Sequence, residues 1–377
     1  MKKSKTRYII MVITEACNLN CVYCFEHAKS CRSMDFETAK KILDRELADT
    51  NWDYYEIQLM GGEPLLNFNL IKEIDKYIFE ICNRKDVRVF TVTNGTLMDK
   101  EKQKWFAERK HRAICGLSID GIREAHNRSR FNSFDQIPID YFVKTWPDQD
   151  CRMTLHSSNI DNFAEGVEFL ESKGFTIQGA FAQGIEWITE DTLHIFEREL
   201  TKLVKYYLEH PEKKVIDLLN VNFAALAAPI KDKDSQSCGA GKELCSYNID
   251  GKRYPCHSLT PVSTGDSAEM YTDKTAEDFD FHTDPHCIDC VFLPCCSTCL
   301  GINLRDRGNA GLRDLSLCEL NKARFRAASQ LTFLRKYIGK TGELTAEEFR
   351  ELAGIARVQA SSCTTLDLPK EIAFDGN

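Results

Sequence analysis

Long apolar runs are missing from this sequence. No stretch approaches the roughly 20 residues that a membrane span requires. The apolar run after the basic start, Ile9 to Ile13, is too brief for a signal-peptide core. The chain is therefore expected to be cytoplasmic, without a membrane partner. Basic charge is also in deficit: 49 Lys and Arg against 57 Asp and Glu give a formal net charge of −8 over 377 residues. An extended nucleic-acid footprint needs a basic face and is excluded on that count, although Lys102 to Arg112 forms a local basic patch. A composition of 43% hydrophobic and 28% charged residues supports a buried core in a soluble chain. The length suits one large α/β domain with a smaller one attached.

Cysteine is abundant, with 17 residues unevenly placed. Cys17, Cys21 and Cys24 lie near the start, and nine more fall between Cys238 and Cys318. In a reducing compartment such clusters point to metal ligation rather than disulfides. The scattered Cys31, Cys82, Cys115, Cys151 and Cys363 read as free thiols. The first group has the spacing C-x3-C-x2-C within EACNLNCVYCFE, Glu15 to Glu26. Three thiolates on a short loop can hold three irons of a cubane iron–sulfur cluster and leave the fourth iron open to a small molecule. A zinc knuckle needs a fourth ligand, which His27 could supply, so these residues alone leave zinc open.

Short apolar runs alternate with helical stretches. Strands are expected at Tyr8–Ile13, Tyr54–Met60, Val87–Thr93, Ala113–Ser118, Arg152–His156 and Thr176–Phe181. Helices are expected at Asp35–Leu47, Leu70–Asn83, Asp99–Lys110, Asn162–Lys173 and Asp191–Glu209, with a less regular segment from Ile122 to Pro147. Six βα units in succession predict a parallel sheet with helices outside, either a partial barrel or an open doubly wound sheet. In both, the site belongs at the C-terminal ends of the strands. That rim carries the first cysteine loop, then Gly61-Gly62-Glu63-Pro64, Thr93-Asn94-Gly95-Thr96 and Ser118-Ile119-Asp120-Gly121. Each is by itself an ordinary βα turn. Together on one rim they offer close backbone approach, a carboxylate at Glu63 and an amide at Asn94 to a polar ligand.

The cysteine loop, with an aromatic before its third cysteine, and the GGEP turn resemble the radical SAM enzymes. The resemblance implies a partial (β/α)6 TIM barrel and a 4Fe–4S cluster whose open iron chelates S-adenosylmethionine. Reductive cleavage of that cofactor gives a 5′-deoxyadenosyl radical that takes a hydrogen atom from substrate. By the same likeness Cys17, Cys21 and Cys24 are cluster ligands, the backbone of Gly62 and Glu63 meets the methionyl amino group, and Tyr23 lies near the adenine. The run SIDGIREAHNRSR, Ser118 to Arg130, is similar to anaerobic sulfatase-maturating enzymes. It implies that Ser118 meets the ribose or carboxylate and Arg130 the carboxylate, a pairing that suits a guanidinium.

The second cysteine group resembles the SPASM extension of these enzymes. Gly251-Lys252-Arg253-Tyr254-Pro255-Cys256 supplies its G-x4-C element, and Cys287 with Cys290 its C-x2-C. The resemblance implies two further 4Fe–4S clusters, three in all: one on Cys238, Cys245, Cys256 and Cys299, the other on Cys287, Cys290, Cys318 and either Cys295 or Cys296. The Leu293-Pro294-x-Cys run favours Cys296. The expected domains are a barrel over 1–225, an auxiliary-cluster domain over 226–325 and a helical tail over 326–377. The Asn321 tail is expected to pack on the barrel, and Glu343–Asn377 to be a short helix and a disordered end.

His257 stands where sulfatase-maturating enzymes carry a catalytic aspartate. It becomes the candidate catalytic residue, with an ordinary hydrogen-bonding role as the alternative. The change turns the expectation away from formylglycine formation and towards oxidative cross-linking, thioether or carbon–carbon, of a ribosomally made precursor peptide. An external donor such as flavodoxin or ferredoxin would supply electrons. The first strand begins near Tyr8, which leaves no room before it for a leader-capturing module. Peptide recognition is then expected of the barrel rim, the C-terminal helices or a separate leader-binding protein. A sulfatase-maturase-like formylglycine-forming enzyme is the alternative, and a zinc-stapled binding module without catalysis is the third reading, from another class.

Overall fold

The structure is a computed structural model that describes residues 5–185, 187, 190–227 and 238–361. Strands β1 (Thr6–Thr14), β2 (Tyr54–Gly61), β3 (Val87–Thr93) and β4 (Ala113–Leu117) run parallel and adjacent, with α1 (Phe36–Leu47), α2 (Phe68–Lys76) and α3 (Lys100–Glu108) as their crossovers. The less regular segment resolves into two short helices, α4 (Arg123–Ser129) and α5 (Ile139–Thr145). Strands β5 (Cys151–Leu155) and β6 (Ile177–Phe181), joined by α6 (Phe163–Ser172), form a separate parallel pair. A single bridge, Ser118 to Arg152, links that pair to the β4 edge. All six expected strands are present, and the expected α/β class holds.

The local chemistry explains these elements. Asp35 caps α1 by accepting from the Thr38 amide at 2.7 Å, and Asp99 caps α3 through Lys102 at 3.0 Å. The stretch after α2 continues as a wider turn of π-helix through Ile81, closed by the Cys82 amide on the Tyr77 carbonyl at 2.9 Å, rather than as one helix to Asn83. β1 lies at the centre of its sheet, and Ile9, Met11, Val12 and Ile13 are fully buried there. In β2 and β3 buried residues alternate with half-buried ones, while β4 is buried at every position but Ile114. One face of the sheet therefore packs beneath helices, and the other lines a partly open concave space.

The sheet does not stop at the expected domain boundary. Strand β7 (Leu244–Tyr247) lies parallel to β1, and β8 (Arg253–Tyr254) pairs antiparallel with β7, giving the order β4-β3-β2-β1-β7-β8. Between β6 and β7 runs α7 (Glu190–Glu209). Beyond β8 come the single turn α8 (Pro261–Thr264) and helices α9 (Leu300–Arg307), α10 (Cys318–Lys336) and α11 (Ala346–Ala360). α10 packs on α7, as expected of the tail. α11 packs on the turn Phe223–Ala227, where Gly354 allows close approach: an added Cβ would sit 1.9 Å from the Phe223 carbonyl oxygen. The end expected to be disordered, from residue 362, lies outside the described residues.

Candidate active site and cysteine cavity

The first cysteine loop leaves β1 and is laid against the β2 turn. The Gly62 amide donates to the Thr14 carbonyl at 3.1 Å and the Glu63 amide to the Ala16 carbonyl at 2.8 Å. Only glycine permits this approach. A Cβ on Gly62 would meet the Ala16 oxygen at 2.3 Å and the Cys17 Cβ at 2.8 Å, and Gly61 has φ +151°. Cys17, Cys21 and Cys24 are all partly exposed. Burial pushes the Cys17 thiol up to about 11. Lys29, missed in the sequence, faces Cys24 and Cys17 as a local cation. His27 is exposed, and the charges that act on it most are Arg305 and Asp306.

Glu63 and Asn94 belong to the wall of the site. The buried Glu63 carboxylate accepts from the Leu65 amide at 3.1 Å, the Thr93 hydroxyl at 2.7 Å and the Asn94 amide at 2.8 Å, tying the ends of β2 and β3 together. Asn94 donates from Nδ2 to Asn18 of the cysteine loop at 2.9 Å and accepts from the Thr96 amide at 3.0 Å. Their side chains are engaged with protein, which leaves backbone as what this corner presents. Ser118 is half-buried, on the concave face, with its amide on the Thr93 carbonyl at 2.9 Å.

Asp120 is the hub that sequence reasoning treated as a turn residue. It is fully buried and accepts from the Thr154 amide at 3.0 Å, the Ser129 hydroxyl at 2.9 Å and the Tyr23 hydroxyl. Arg130 pairs with it at 3.0 Å and lies over the Tyr23 ring at 5.4 Å. Although desolvation acts to raise it, the adjacent guanidinium holds the Asp120 carboxyl below its usual range. His126 accepts from the Asp120 amide at 3.2 Å, and burial pushes it down to about 4, so it packs neutral. Tyr23 and Arg130 are therefore brought together, fixed by an acid that no spacing announced.

The second group of cysteines surrounds a cavity of about 620 Å³. Cys238, Cys256, Cys287, Cys290, Cys296, Cys299 and Cys318 all line it. Cys238, Cys256 and Cys299 are electrostatic neighbours of one another, and Cys287, Cys290, Cys296 and Cys318 form the other set. Gly301 makes room for the first set, since a Cβ there would stand 2.7 Å from the Cys256 sulfur. Cys295 turns away and donates to the Asn222 carbonyl at 3.2 Å.

Cys245 is not brought to this cavity. In β7 it pairs in register with Ile9, and period-two alternation puts it on the helix-covered face while Leu244 lines the cavity. Its sulfur receives the Arg7 Nη2 at 3.2 Å, beside an Arg7–Glu46 ion pair of 3.0 Å, and Tyr247 also donates to Glu46. Its expected place beside Cys238, Cys256 and Cys299 is corrected by that register: the side chain would have to cross the sheet.

His257 lines the same cavity, half-buried, with its ring 5.5 Å from that of Phe25 in the first cysteine loop. Its Nδ1 has no hydrogen-bond partner. Burial, with Arg152 adding, pushes the imidazole down to about 4. The donor sets are sulfur, which suits soft metals and iron–sulfur clusters. Among the described residues no three His, Cys, Asp or Glu side chains stand close enough to share one ion. Seven thiols around one cavity of about 620 Å³ are a donor set that soft metals and iron–sulfur clusters take.

Residues 11–137 match the Radical SAM superfamily. A probable GTP 3′,8-cyclase of Methanococcus aeolicus is 33% identical over 295 residues, covering 67% of this chain and 89% of that one. The chain belongs to the radical SAM superfamily. Membership implies a 4Fe–4S cluster and S-adenosylmethionine. A cysteine-type anaerobic sulfatase-maturating enzyme of Clostridium perfringens is 26% identical over 66% of this radical SAM chain and 73% of its own. The subtilosin biosynthesis protein AlbA of Bacillus subtilis is also 26% identical, over 65% of this chain and 53% of AlbA. The chain spans about half, 49%, of an uncharacterised Methanocaldococcus jannaschii relative.

Among solved structures, native anSMEcpe with bound AdoMet superposes with TM-score 0.65 at 19% identity, over 88% of this chain and all (100%) of that one. Streptococcus suis SuiB bound to precursor peptide SuiA superposes with TM-score 0.53 at 17% identity, over 83% and 76%. The superfamily match takes in the cysteine loop, the GGEP turn and the Asp120 hub, and the cysteine cavity lies beyond it. Among the described residues no helix is long and apolar enough to cross a membrane.

Proposed function

We propose that this radical SAM enzyme matures a ribosomally made precursor peptide by an oxidative cross-link, thioether or carbon–carbon. The observation that carries the reading is the cavity: seven cysteines line it together with His257 and barrel residues Arg152, Gly179 and Phe181. A substrate reaching the concave face would lie between the first cysteine loop and a second store of thiols. When bound, the first cluster and S-adenosylmethionine supply the radical that takes a hydrogen atom, and auxiliary clusters supply a sink for the electron that an oxidation releases.

The chain's own residues would do the rest. Cys17, Cys21 and Cys24 would hold the first cluster, with Lys29 offsetting its charge. Backbone at Gly62 and Glu63, with Ser118 and Arg130, would orient S-adenosylmethionine beside Tyr23. Cys287, Cys290, Cys296 and Cys318 would hold one auxiliary cluster, and Cys238, Cys256 and Cys299 another. His257 lines the same space and is the candidate for exchanging a proton there. A reduced flavodoxin or ferredoxin would deliver electrons, and a separate leader-binding protein would deliver peptide, in the cytoplasm.

Coexpression with the small peptides encoded beside the gene, followed by mass spectrometry, tests the reading. The expected product has lost two hydrogen atoms per bond formed. A second reading, sulfatase maturation, is favoured by the C. perfringens relative. Formylglycine in place of cysteine in a sulfatase-motif peptide would support that reading over cross-linking.

The ligand sets make a further prediction. Cys256→Ala is expected to remove about four irons of about twelve per chain, and Cys296→Ala the same number. Cys245→Ala and Cys295→Ala should leave iron unchanged by colorimetric assay. Loss of iron in Cys245→Ala would return that residue to the ligand set.

A further inference from the structure

Arg152 lines the cavity, and its guanidinium forms no ion pair among the described residues. It sits on β5 facing the concave space, half-buried and at the bridge to Ser118. Its guanidinium lies over the Phe90 ring at 5.9 Å, and Gly116 leaves the space that ring occupies. No ion pair or hydrogen bond to its guanidinium is formed among the described residues. Asp150 and Asp217, the latter also lining the cavity, act on it electrostatically without pairing with it, and no thiol is among the charges that act on it. Its near neighbour across the cavity is His257. A buried charge is normally paired. A guanidinium stacked on an aromatic face keeps its edge donors free, in the fork that matches a carboxylate.

We infer that Arg152 binds a substrate carboxylate, so that the peptide carries an acidic residue beside the position that is modified. The inference rests on the peptide-maturase reading and names a feature of its substrate. Arg130 is already paired with Asp120, and Arg152 stands on a different strand, so the two guanidinium groups serve different anions. A carboxylate in this cavity could also come from S-adenosylmethionine, and the experiment separates the sources.

The probes are N-acetyl-aspartate amide and N-acetyl-asparagine amide, titrated by NMR into anaerobically reconstituted holoenzyme with S-adenosylmethionine bound. The wild type is expected to prefer the aspartate probe by roughly tenfold, the size of one charged hydrogen-bonded pair. Arg152→Gln should lose that preference, Arg152→Lys should keep part of it, and affinity for S-adenosylmethionine should not change in either. No preference in the wild type, a preference kept in Arg152→Gln, or weakened S-adenosylmethionine binding in Arg152→Gln would each overturn the inference. 5′-Deoxyadenosine formation is followed in parallel. If the wild type forms it without preferring aspartate, the inference alone fails. If the wild type forms none, the enzymatic reading fails first.

Discussion

Replacing Cys17, Cys21 and Cys24 together by alanine is expected to abolish 5′-deoxyadenosine formation while about eight of about twelve irons remain bound. The separation follows from where the thiols stand. The first three sit on the loop between β1 and α1, against the glycine pair of the β2 turn. The others line a cavity built from β7, α9, α10 and the turns around them. Neither set shares a ligand with the other, so removing one should not unload the other. The barrel should survive too, because none of the three is in the fully buried core. Activity is read by chromatography of the reduced enzyme with S-adenosylmethionine, and iron by assay of the same sample. Residual 5′-deoxyadenosine in the triple variant would show that the cleavage occurs elsewhere.

Asp120→Ala is expected to cost about 3–5 kcal/mol of stability, because it leaves the buried Arg130 charge without its partner. The same substitution strips acceptors from Thr154, Ser129 and Tyr23. For a chain of this size the midpoint of thermal unfolding should fall by roughly 5–15 °C. Binding of S-adenosylmethionine should weaken as well, since Tyr23 and Arg130 lose the group that fixes them. A double variant, Asp120→Ala with Arg130→Met, should recover part of the stability but not the binding. An unchanged melting temperature in Asp120→Ala would remove Asp120 from its place as the hub.

The strands were legible because β2 and β3 carry a period-two pattern, β4 is a short apolar run and β1 holds the apolar run from Ile9 to Ile13. The glycines of the GGEP turn were legible because nothing larger fits between Thr14 and Cys17. Other features depend on which way a side chain points after folding. Cys245 has the spacing of a cluster ligand, yet strand register places it under α1 with Arg7 and Glu46. Cys295 and Cys296 are adjacent, and the local turn alone decides that Cys296 faces the cavity while Cys295 meets Asn222. Asp120 looked like a turn former because its partners come from three separate stretches: Tyr23, Ser129 with Arg130, and Thr154. A buried charge announces itself only once the burial is known. Arg152 was invisible for the same reason. A strand residue with alternating neighbours gives no sign that its cation goes unpaired.

Metal and sulfide analysis of the full chain, purified without oxygen, tests the account most directly. About twelve irons and about twelve acid-labile sulfides per chain, with no stoichiometric zinc, is the result expected of three 4Fe–4S clusters. Stoichiometric zinc with neither iron nor sulfide would contradict it.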